Sequence, residues 1–360
     1  MKALALVVCG LSLLLLGLTL LPLVPSARWW IRVWDYPRLQ LAAALFALLP
    51  MQGVLAYSGH DFAGNELLML ANGVAAGWHL FRIWPYTPAH RLQSLAAAPT
   101  TGDGNGISVL VANVLQDNRN ARGLLEIVRS VGPDILIAVE TNAWWDAQLN
   151  VLAEIYPFAV RIPQENTYGM HVFSALELKD VCVRNLVSEG IPSVRATVQL
   201  RSGEEIELYA VHPEPPLPHK DVEERDAELL LVAREVKERG RAALVAGDLN
   251  DVAWSHTTRL FQRLSGLLDP RVGRGLFSTF HTGHWIMRWP LDHLFHDASF
   301  RLRELRVLPA YGSDHFPICA SFVFDPSAAR KVEKPQPKGD DRQEAREKIA
   351  EGRAAAAEKE

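Results

Sequence analysis

The chain has 360 residues, of which 49% are hydrophobic, and it carries a formal net charge of −4 at pH 7. This length is sufficient for one large folded domain or two modest ones, and the composition excludes a disordered or collagen-like chain. The three cysteines lie far apart in apolar surroundings, so they predict neither a CxxC zinc site nor a disulfide framework.

The first ninety residues contain three long apolar runs. Residues 3–24 include no charged side chain, and as a helix they are long enough to cross about 30 Å of hydrocarbon. The two later runs are interrupted by only a few polar residues. We therefore predict a membrane anchor over residues 1–96 with about three transmembrane helices, near residues 3–25, 39–57 and 66–84.

A cleaved signal peptide is the alternative for the first run, because Lys2 precedes it and Ser26-Ala27 resembles a processing site. The run exceeds the usual signal-peptide length of about 7–15 apolar residues, and two more runs follow it. Trp and Tyr residues cluster near the ends of the first and third runs, as in the aromatic belts of membrane proteins; they include Tyr36 and Tyr86. We therefore favour a multi-pass protein of the cell membrane.

The side of the membrane on which the large domain lies is predicted from the basic residues. Arginines concentrate in the segments that would share a side with the large domain, which favours a cytoplasmic location. Lys2 favours the same side for the amino terminus, although an odd number of helices places the two on opposite sides. The membrane face of the domain stays open between these two indications.

Composition divides the remainder of the chain into three parts. A Pro-, Gly- and Thr-rich segment at about residues 97–106 predicts a linker, and residues 107–326 have the composition of an α/β domain. Residues 327–360 are charged and rich in Ala, Lys and Glu without an apolar stripe. We expect this last part to be a disordered or solvated helical tail without a chemical role.

Strand-like runs bounded by turn residues recur through the α/β domain. Helical patterns fill several gaps, at residues 121–131, 221–239 and 254–264. Because the strands outnumber the crossover helices, the pattern favours two mixed sheets packed on each other with outer helices over one doubly wound parallel sheet. The predicted strands are residues 107–113, 134–140, 168–174, 193–200, 205–212, 242–248, 291–295 and 318–324.

Almost every predicted strand begins or ends near a polar residue of the same chemical kind. One such residue alone is ordinary, because Asn and Asp cap helices and form turns. The set contains oxygen ligands and two histidines without a thiolate cluster, a combination that selects Mg²⁺ or Mn²⁺ over zinc. It predicts phosphate chemistry, in which a site activates water and neutralises charge on phosphoryl oxygens. Its members are Asn113, Glu140, His212, Asp248, Asn250, Asp292, Asp314 and His315.

The chain resembles the endonuclease/exonuclease/phosphatase superfamily, which includes pancreatic-type DNases, apurinic endonucleases, sphingomyelinases and inositol-polyphosphate phosphatases. The resemblance covers about residues 106–325 and implies a DNase I-like four-layer sandwich of two mixed β-sheets flanked by helices, here in a membrane-anchored, bacterial-type member. It rests on six short motifs in order: Asn113, Glu140, His212-Pro213, Gly247-Asp248-Leu249-Asn250, Leu291-Asp292-His293 and Ser313-Asp314-His315.

The resemblance implies a metal centre and a group that acts on water. Glu140 is the implied principal ligand of Mg²⁺ or Mn²⁺, with Asn113 beside it and Asp314 as a further ligand, either to the same ion or to a second one. Asp248 is implied to orient or deprotonate the attacking water. Asn250 is implied to donate its amide to a phosphoryl oxygen.

The resemblance also implies roles for two histidines and a tyrosine. His315 would contact the phosphate and be oriented by Asp292, while His212 would assist protonation of the leaving group or bind phosphate. Tyr168 would line the site. The chain departs from the family pattern at Ser174-Ala175, where members often carry a basic residue. The departure concerns substrate contacts and leaves the metal set intact.

The charge of the α/β domain bears on its substrate. Residues 100–326 include 22 Lys and Arg against 30 Asp and Glu, whereas a protein that grips duplex DNA shows a basic footprint. A local group of arginines lies between two motifs, and from it we take Arg274 and Arg288 as candidate substrate-binding residues. Since a membrane anchor places the site near lipid headgroups, we expect a phosphorylated lipid such as a phospholipid or a polyprenyl pyrophosphate.

Two other functions remain open for this sequence. A nuclease that cleaves DNA or RNA is the second interpretation, although the charge does not favour it. A catalytically silent sensor of a phosphorylated ligand is the third. A sensor gains nothing from retaining both Asp248 and the Asp292–His315 pair, which argues against it.

Overall fold

The computed structural model describes residues 2–98, 103–218 and 220–359, so residues 99–102 of the predicted linker lie outside the described residues. The amino-terminal part is helical. Its α-helices are α1 (Lys2–Leu20), α2 (Trp29–Arg32), α3 (Arg38–Tyr57) and α4 (Asn65–Ile83).

Among the described residues, two helical segments are long and apolar enough to cross a membrane, by length and composition alone: Lys2–Leu23 and Arg38–Tyr57. The predicted third transmembrane helix exists as α4, but it does not meet the same criterion. Its polar residues face the other helices, since Asn72 Nδ2 donates to Ser12 Oγ at 2.9 Å and to Gln52 Oε1 at 3.1 Å. The prediction of about three transmembrane helices is therefore reduced to two candidate helices.

The α/β domain contains two mixed sheets. Its strands are β1 (Gly106–Asn113), β2 (Ile135–Val139), β3 (Phe158–Ile162), β4 (Met170–Ser174), β5 (Leu178–Asn185), β6 (Pro192–Gln199), β7 (Glu205–Ala210), β8 (Ala243–Asp248), β9 (Asp292–His296), β10 (Phe300–Val307) and β11 (Ile318–Phe324). The six-stranded sheet has the order β10, β11, β1, β2, β4, β3, and the five-stranded sheet has the order β5, β6, β7, β8, β9. β1 pairs with β2 and β7 with β8 in parallel, and the other neighbours are antiparallel.

The two sheets enclose the main apolar core. Val111 and Ile137 of the first sheet pack there with Leu208 and Leu294 of the second. The outer face of the first sheet is covered by α5 (Ala121–Val131) and α6 (Ala143–Leu149), and that of the second by α7 (Glu223–Arg239) and α8 (His256–Ser265). The predicted pair of mixed sheets with outer helices is thus confirmed.

Three strands are absent from the sequence prediction, namely β3, β5 and β10. Each lies at the edge of its sheet, and each alternates between covered and exposed side chains with charged residues among them. Charged residues are common on edge strands, where they discourage pairing with other chains. Such strands lack the continuous apolar runs by which the central strands were identified.

Residues 341–357 of the predicted disordered or solvated helical tail form helix α9 (Asp341–Ala357), which packs against α7 and is therefore not solvated on all sides. Charged groups of the tail pair with the domain instead of facing water alone. Lys348 Nζ lies 2.8 Å from Asp226 Oδ2, and Arg263 Nε lies 2.6 Å from Asp341 Oδ2. The contact therefore combines these ion pairs with a narrow buried face of α9, in which Ala345 and Ile349 pack against Leu230 and Leu260.

Replacing Gly352 with Leu should detach α9 from α7. A Cβ atom at this position would lie 2.4 Å from Ala227 Cβ and 2.5 Å from Glu223 O, and overpacking typically costs about 1–3 kcal/mol. Limited proteolysis of the full chain should therefore cleave the tail of G352L about tenfold faster than that of the wild type. The control is Ala354→Leu, which adds a leucine to the exposed face of the same helix. Equal cleavage of the two variants would contradict the observed packing.

Candidate active site

Polar residues from both sheets meet at one rim of the sandwich. Asn113 ends β1, Glu140 follows β2, Asp248 ends β8 and Asp292 begins β9. Each parallel pair brings its carboxyl ends to one edge of its sheet, and the antiparallel β9 pairs Asp292 directly with Asp248. The fold thereby joins residues that are distant in sequence.

Asn113 links two of the carboxylates. Its Nδ2 atom donates to Glu140 Oε1 at 2.7 Å and to Asp248 Oδ2 at 3.0 Å, while its Oδ1 accepts from the Leu115 backbone N–H at 2.9 Å. Burial raises the pKa of Glu140, and the nearby Asp248 charge acts in the same direction, against His212 and Asn113. Buried oxygen ligands of this kind fit a hard divalent cation such as Mg²⁺, whose charge would favour the ionised carboxylates.

His315 lies between the other two carboxylates. Its Nδ1 is 2.7 Å from Asp292 Oδ2, and its Nε2 is 3.6 Å from Asp248 Oδ2. Burial acts to lower the pKa of His315, but the charges of Asp292 and Asp248 outweigh it and raise the pKa to about 10. The imidazole is therefore a cation near neutral pH, with no free lone pair for a metal ion.

Another group of side chains at the rim is close enough together to contact one metal ion. One ligand atom from each of Asp248, Asp292 and His315 lies within 4.8 Å of the others. The protonated His315 argues against this trio as a complete ligand set. The Asp292 Oδ1 atom is buried and has no hydrogen-bond partner among the described residues. We consider the trio an ion-paired group beside Glu140 and Asn113.

His212 and Tyr168 lie side by side at the same rim. His212 Nε2 is 4.0 Å from Asp248 Oδ2, and the two ring centroids are 5.7 Å apart. Burial lowers the pKa of His212 against the opposing charges of Asp248 and Glu140, so this imidazole is neutral at pH 7. The Tyr168 hydroxyl accepts from Lys220 Nζ at 3.3 Å. The two histidines thus differ in charge because only His315 has a carboxylate in direct contact.

The turn after β8 explains the Gly-Asp-Leu-Asn motif. Gly247 has φ 148°, and a Cβ atom there would lie 1.9 Å from Val211 O, so only glycine fits against β7. Asn250 adopts a left-handed φ of 51°, donates its backbone N–H to Asp248 Oδ1 at 2.9 Å, and donates from Nδ2 to Pro213 O at 2.9 Å. The turn therefore holds a carboxylate and an amide in a fixed relation.

The helical region supports this turn directly. The Tyr36 hydroxyl donates to Asn250 O at 2.6 Å, and Arg225 Nη1 donates to the same oxygen at 3.0 Å. Tyr86 donates to Ala253 O at 2.5 Å. Sequence reasoning missed these contacts, because Tyr36 and Tyr86 matched an aromatic membrane belt; both are buried against the α/β domain instead.

The remaining predicted site residues occupy different surroundings. Arg274 donates to the backbone oxygens of Ser94 at 2.8 Å and Pro270 at 3.0 Å, so its guanidinium is engaged in holding the chain and not in binding substrate. Arg288 is exposed, and its guanidinium lies 4.9 Å from the ring centroid of Phe316. Asp314 lies next to His315, and its backbone oxygen accepts from Thr282 at 2.8 Å. The structure thus brings Arg288 near the rim and leaves Arg274 occupied elsewhere.

Comparison with known proteins gives a family and a fold. The model of the endonuclease/exonuclease/phosphatase family matches residues 109–315, which is more than half of the 360 residues. No curated protein matches the chain. Several solved structures are similar in fold.

Three of these structures illustrate the likeness. D. rerio TDP2 complexed with a single-strand DNA product has a TM-score of 0.52 and 18% identity, over 60% of this chain and 98% of that one. The endonuclease/exonuclease/phosphatase from Beutenbergia cavernae has a TM-score of 0.51 and 17% identity, over 61% and 72%. The human Nocturnin catalytic domain with bound sulfate has a TM-score of 0.51 and 16% identity, over 66% and 97%. At these identities the likeness shows the fold alone.

Replacing Tyr36 with Phe should weaken the turn that carries Asp248 and Asn250. The change removes one buried hydrogen bond, so the free energy of unfolding should fall by about 1 kcal/mol, and the rate of phosphoester hydrolysis should fall with it. Chemical denaturation of the full chain and an activity assay measure the two effects. Tyr57→Phe is the matched control, because the Tyr57 side chain is 96% exposed. Equal stability and equal hydrolysis rates of the two variants would contradict the inference that the helical region supports the site.

Proposed function

The chain belongs to the endonuclease/exonuclease/phosphatase family and is a hydrolase of phosphoester bonds, and on this premise we propose that it is anchored in a membrane and hydrolyses a phosphorylated lipid with the aid of a divalent metal ion. The observation that carries the proposal is the convergence of Glu140, Asp248 and His315 at one rim, joined through Asn113 and Asp292.

The proposed metal ligands are Glu140 and Asn113, with Asp314 as a further candidate. Mg²⁺ is the first choice and Mn²⁺ the second, since both prefer carboxylate and amide oxygens. When bound, the ion would neutralise charge on a phosphoryl oxygen and so favour attack by water.

The remaining residues divide the other tasks of the reaction. Asp248, oriented by Asn113 and by the Asn250 backbone, positions the attacking water and accepts its proton. Asn250 has one amide hydrogen engaged with Pro213 O, and its second hydrogen is available to a phosphoryl oxygen. The His315 cation stabilises the negative charge that develops on the phosphoryl group, and Asp292 fixes its ring. His212 donates a hydrogen bond to the leaving oxygen.

An exposed apolar loop near the site supports a lipid substrate. Trp285, Ile286 and Met287 are 81%, 56% and 45% exposed, and Gln40 Nε2 of α3 donates to Ile286 O at 2.5 Å. The base of the same loop contacts the catalytic group, because the Phe280 and His315 ring centroids are 5.0 Å apart. A loop with Trp, Ile and Met at its tip, beside a helix that is long and apolar enough to span a membrane, is suited to the lipid interface.

The activity is tested with the full chain in detergent against bis-p-nitrophenyl phosphate, p-nitrophenyl phosphate, short-chain lipid phosphates and single-stranded DNA. We expect hydrolysis that stops with EDTA and returns with Mg²⁺ or Mn²⁺. Asp248→Asn should lower kcat by about a hundredfold or more, and Glu140→Gln should raise the metal concentration needed for half-maximal rate. The exposed Glu238→Gln is the matched control. Turnover of DNA alone would favour the nuclease, and no turnover of any substrate would favour the sensor.

The lipid preference is tested at the apolar loop. Trp285→Ser with Ile286→Ser should raise KM for lipid phosphate in vesicles and leave the rate on a soluble diester unchanged, because the loop meets the membrane and not the reacting group. A matched control removes two exposed apolar residues of β5 with Val181→Ser and Val183→Ser, which are 43% and 48% exposed in the wild type. A lipid KM that is equal in both double variants would refute the membrane role of the loop.

A further inference from the structure

A second cavity lies away from the active-site rim. Its volume is about 690 Å³, and none of its lining residues belongs to the catalytic group. Its walls come from the segment that ends and follows α4, from α8, and from residues 331–338, which precede α9. Glu333 is the one acidic residue among a lining rich in Lys and Arg, so we call it the basic cavity.

Some of the positive charges in the basic cavity are compensated. Arg263 pairs with Asp341 at 2.6 Å, and Lys334 pairs with Asp297 at 2.9 Å. These two ion pairs fix the tail against the domain and shape the cavity wall. Arg91 is also paired, with Glu333 of the same lining at 3.4 Å.

Other positive charges have no counterpart. In the part of the chain that the structure describes, the side chains of Arg259, Lys331 and Lys338 form no ion pair. Arg82 donates from Nη2 to Trp254 O at 2.7 Å, while its Nε is buried without a partner. A buried donor without an acceptor costs about 1–3 kcal/mol. An anion with several oxygens would satisfy such donors, and arginine is well suited to phosphate.

The excess of positive charge distinguishes this cavity from its neighbour. A neighbouring cavity of about 390 Å³ also has Arg82 in its wall, but Glu344, Glu347 and Glu351 of α9 line it as well. Its charge is therefore mixed. The lining of the basic cavity contains Glu333 as its one acidic residue, although the domain around it is acidic overall.

We propose that the basic cavity binds a phosphoryl anion at a site separate from the active site. The ligand is free phosphate or the phosphate of an acidic lipid headgroup, since both present the same oxygens to Arg82, Arg259 and Lys331. The lipid source rests on the membrane insertion proposed above, and the soluble source does not. A bound anion would contact the end of α4, helix α8 and the tail at the same time, and so hold the three segments together.

The proposal is tested by calorimetric titration of the full chain in detergent with EDTA present. The probes are inorganic phosphate and dihexanoyl phosphatidylglycerol, with dihexanoyl phosphatidylcholine as the reference without net charge. Arg259→Gln with Lys331→Gln should weaken binding about tenfold, as expected for the loss of charge-assisted hydrogen bonds. Arg259→Lys with Lys331→Arg keeps the charge and should bind within a few-fold of the wild type, which separates loss of charge from loss of fold.

The matched control removes two exposed charges of α7, with Arg234→Gln and Lys237→Gln, and should bind like the wild type. Binding of phosphatidylglycerol alone assigns the site to a lipid headgroup, and binding of phosphate assigns it to a free anion. The proposal is overturned if the wild type binds neither probe, or if the Arg259→Gln, Lys331→Gln variant binds as tightly as the wild type. Hydrolysis is not measured here, so failure of this site leaves the proposed reaction untouched.

Discussion

The concentration of buried carboxylates at one rim is the constraint on which the rest of the structure depends. Glu140, Asp248 and Asp292 are brought together by the ends of three strands, and an ionised carboxylate in such a place is costly unless it is compensated. Part of the compensation is internal, from the Asn113 amide and the His315 cation. The remainder fits a divalent cation. The same crowding that opposes folding thus makes this rim suited to a divalent cation and to the phosphate that would accompany it.

The helical region supports the turn that carries Asp248 and Asn250. Tyr36 and Tyr86 donate to the backbone that follows β8, and Trp254 Nε1 donates back to Asp35 O at 2.7 Å. Tyr36, Tyr86 and Trp254 belong to one apolar cluster with Leu291, the residue before Asp292. Any movement of the helices relative to the sandwich would therefore be transmitted to the turn that carries Asp248. The packing thus ties the position of this turn to that of the helices.

The sequence was sufficient to predict the central strands of the fold. It was insufficient to predict the edge strands and the packing of the tail helix. Strands such as β1 and β8 are buried on both faces, so they appear as continuous apolar runs, and a polar residue at the end of such a run is conspicuous. β3 and α9 were missed or misread because their local patterns are mixed, and long-range contacts decide their structure. Arg274 shows the same limit, since its partner Ser94 lies 180 positions away. When a charged side chain pairs with a carbonyl that is distant in sequence, the residues around it show no pattern that predicts the pairing.

The distribution of charge along the chain is consistent with work at an anionic surface. Residues 100–326 include 30 acidic and 22 basic residues. This net negative charge would by itself repel the domain from anionic lipid, and the repulsion is screened beyond about 10 Å. Arg82 and Arg91 lie where the helices meet the domain, beside the basic cavity. If the proposed anchoring holds, these arginines would offer local positive charge to an anionic surface in spite of the net acidity of the domain.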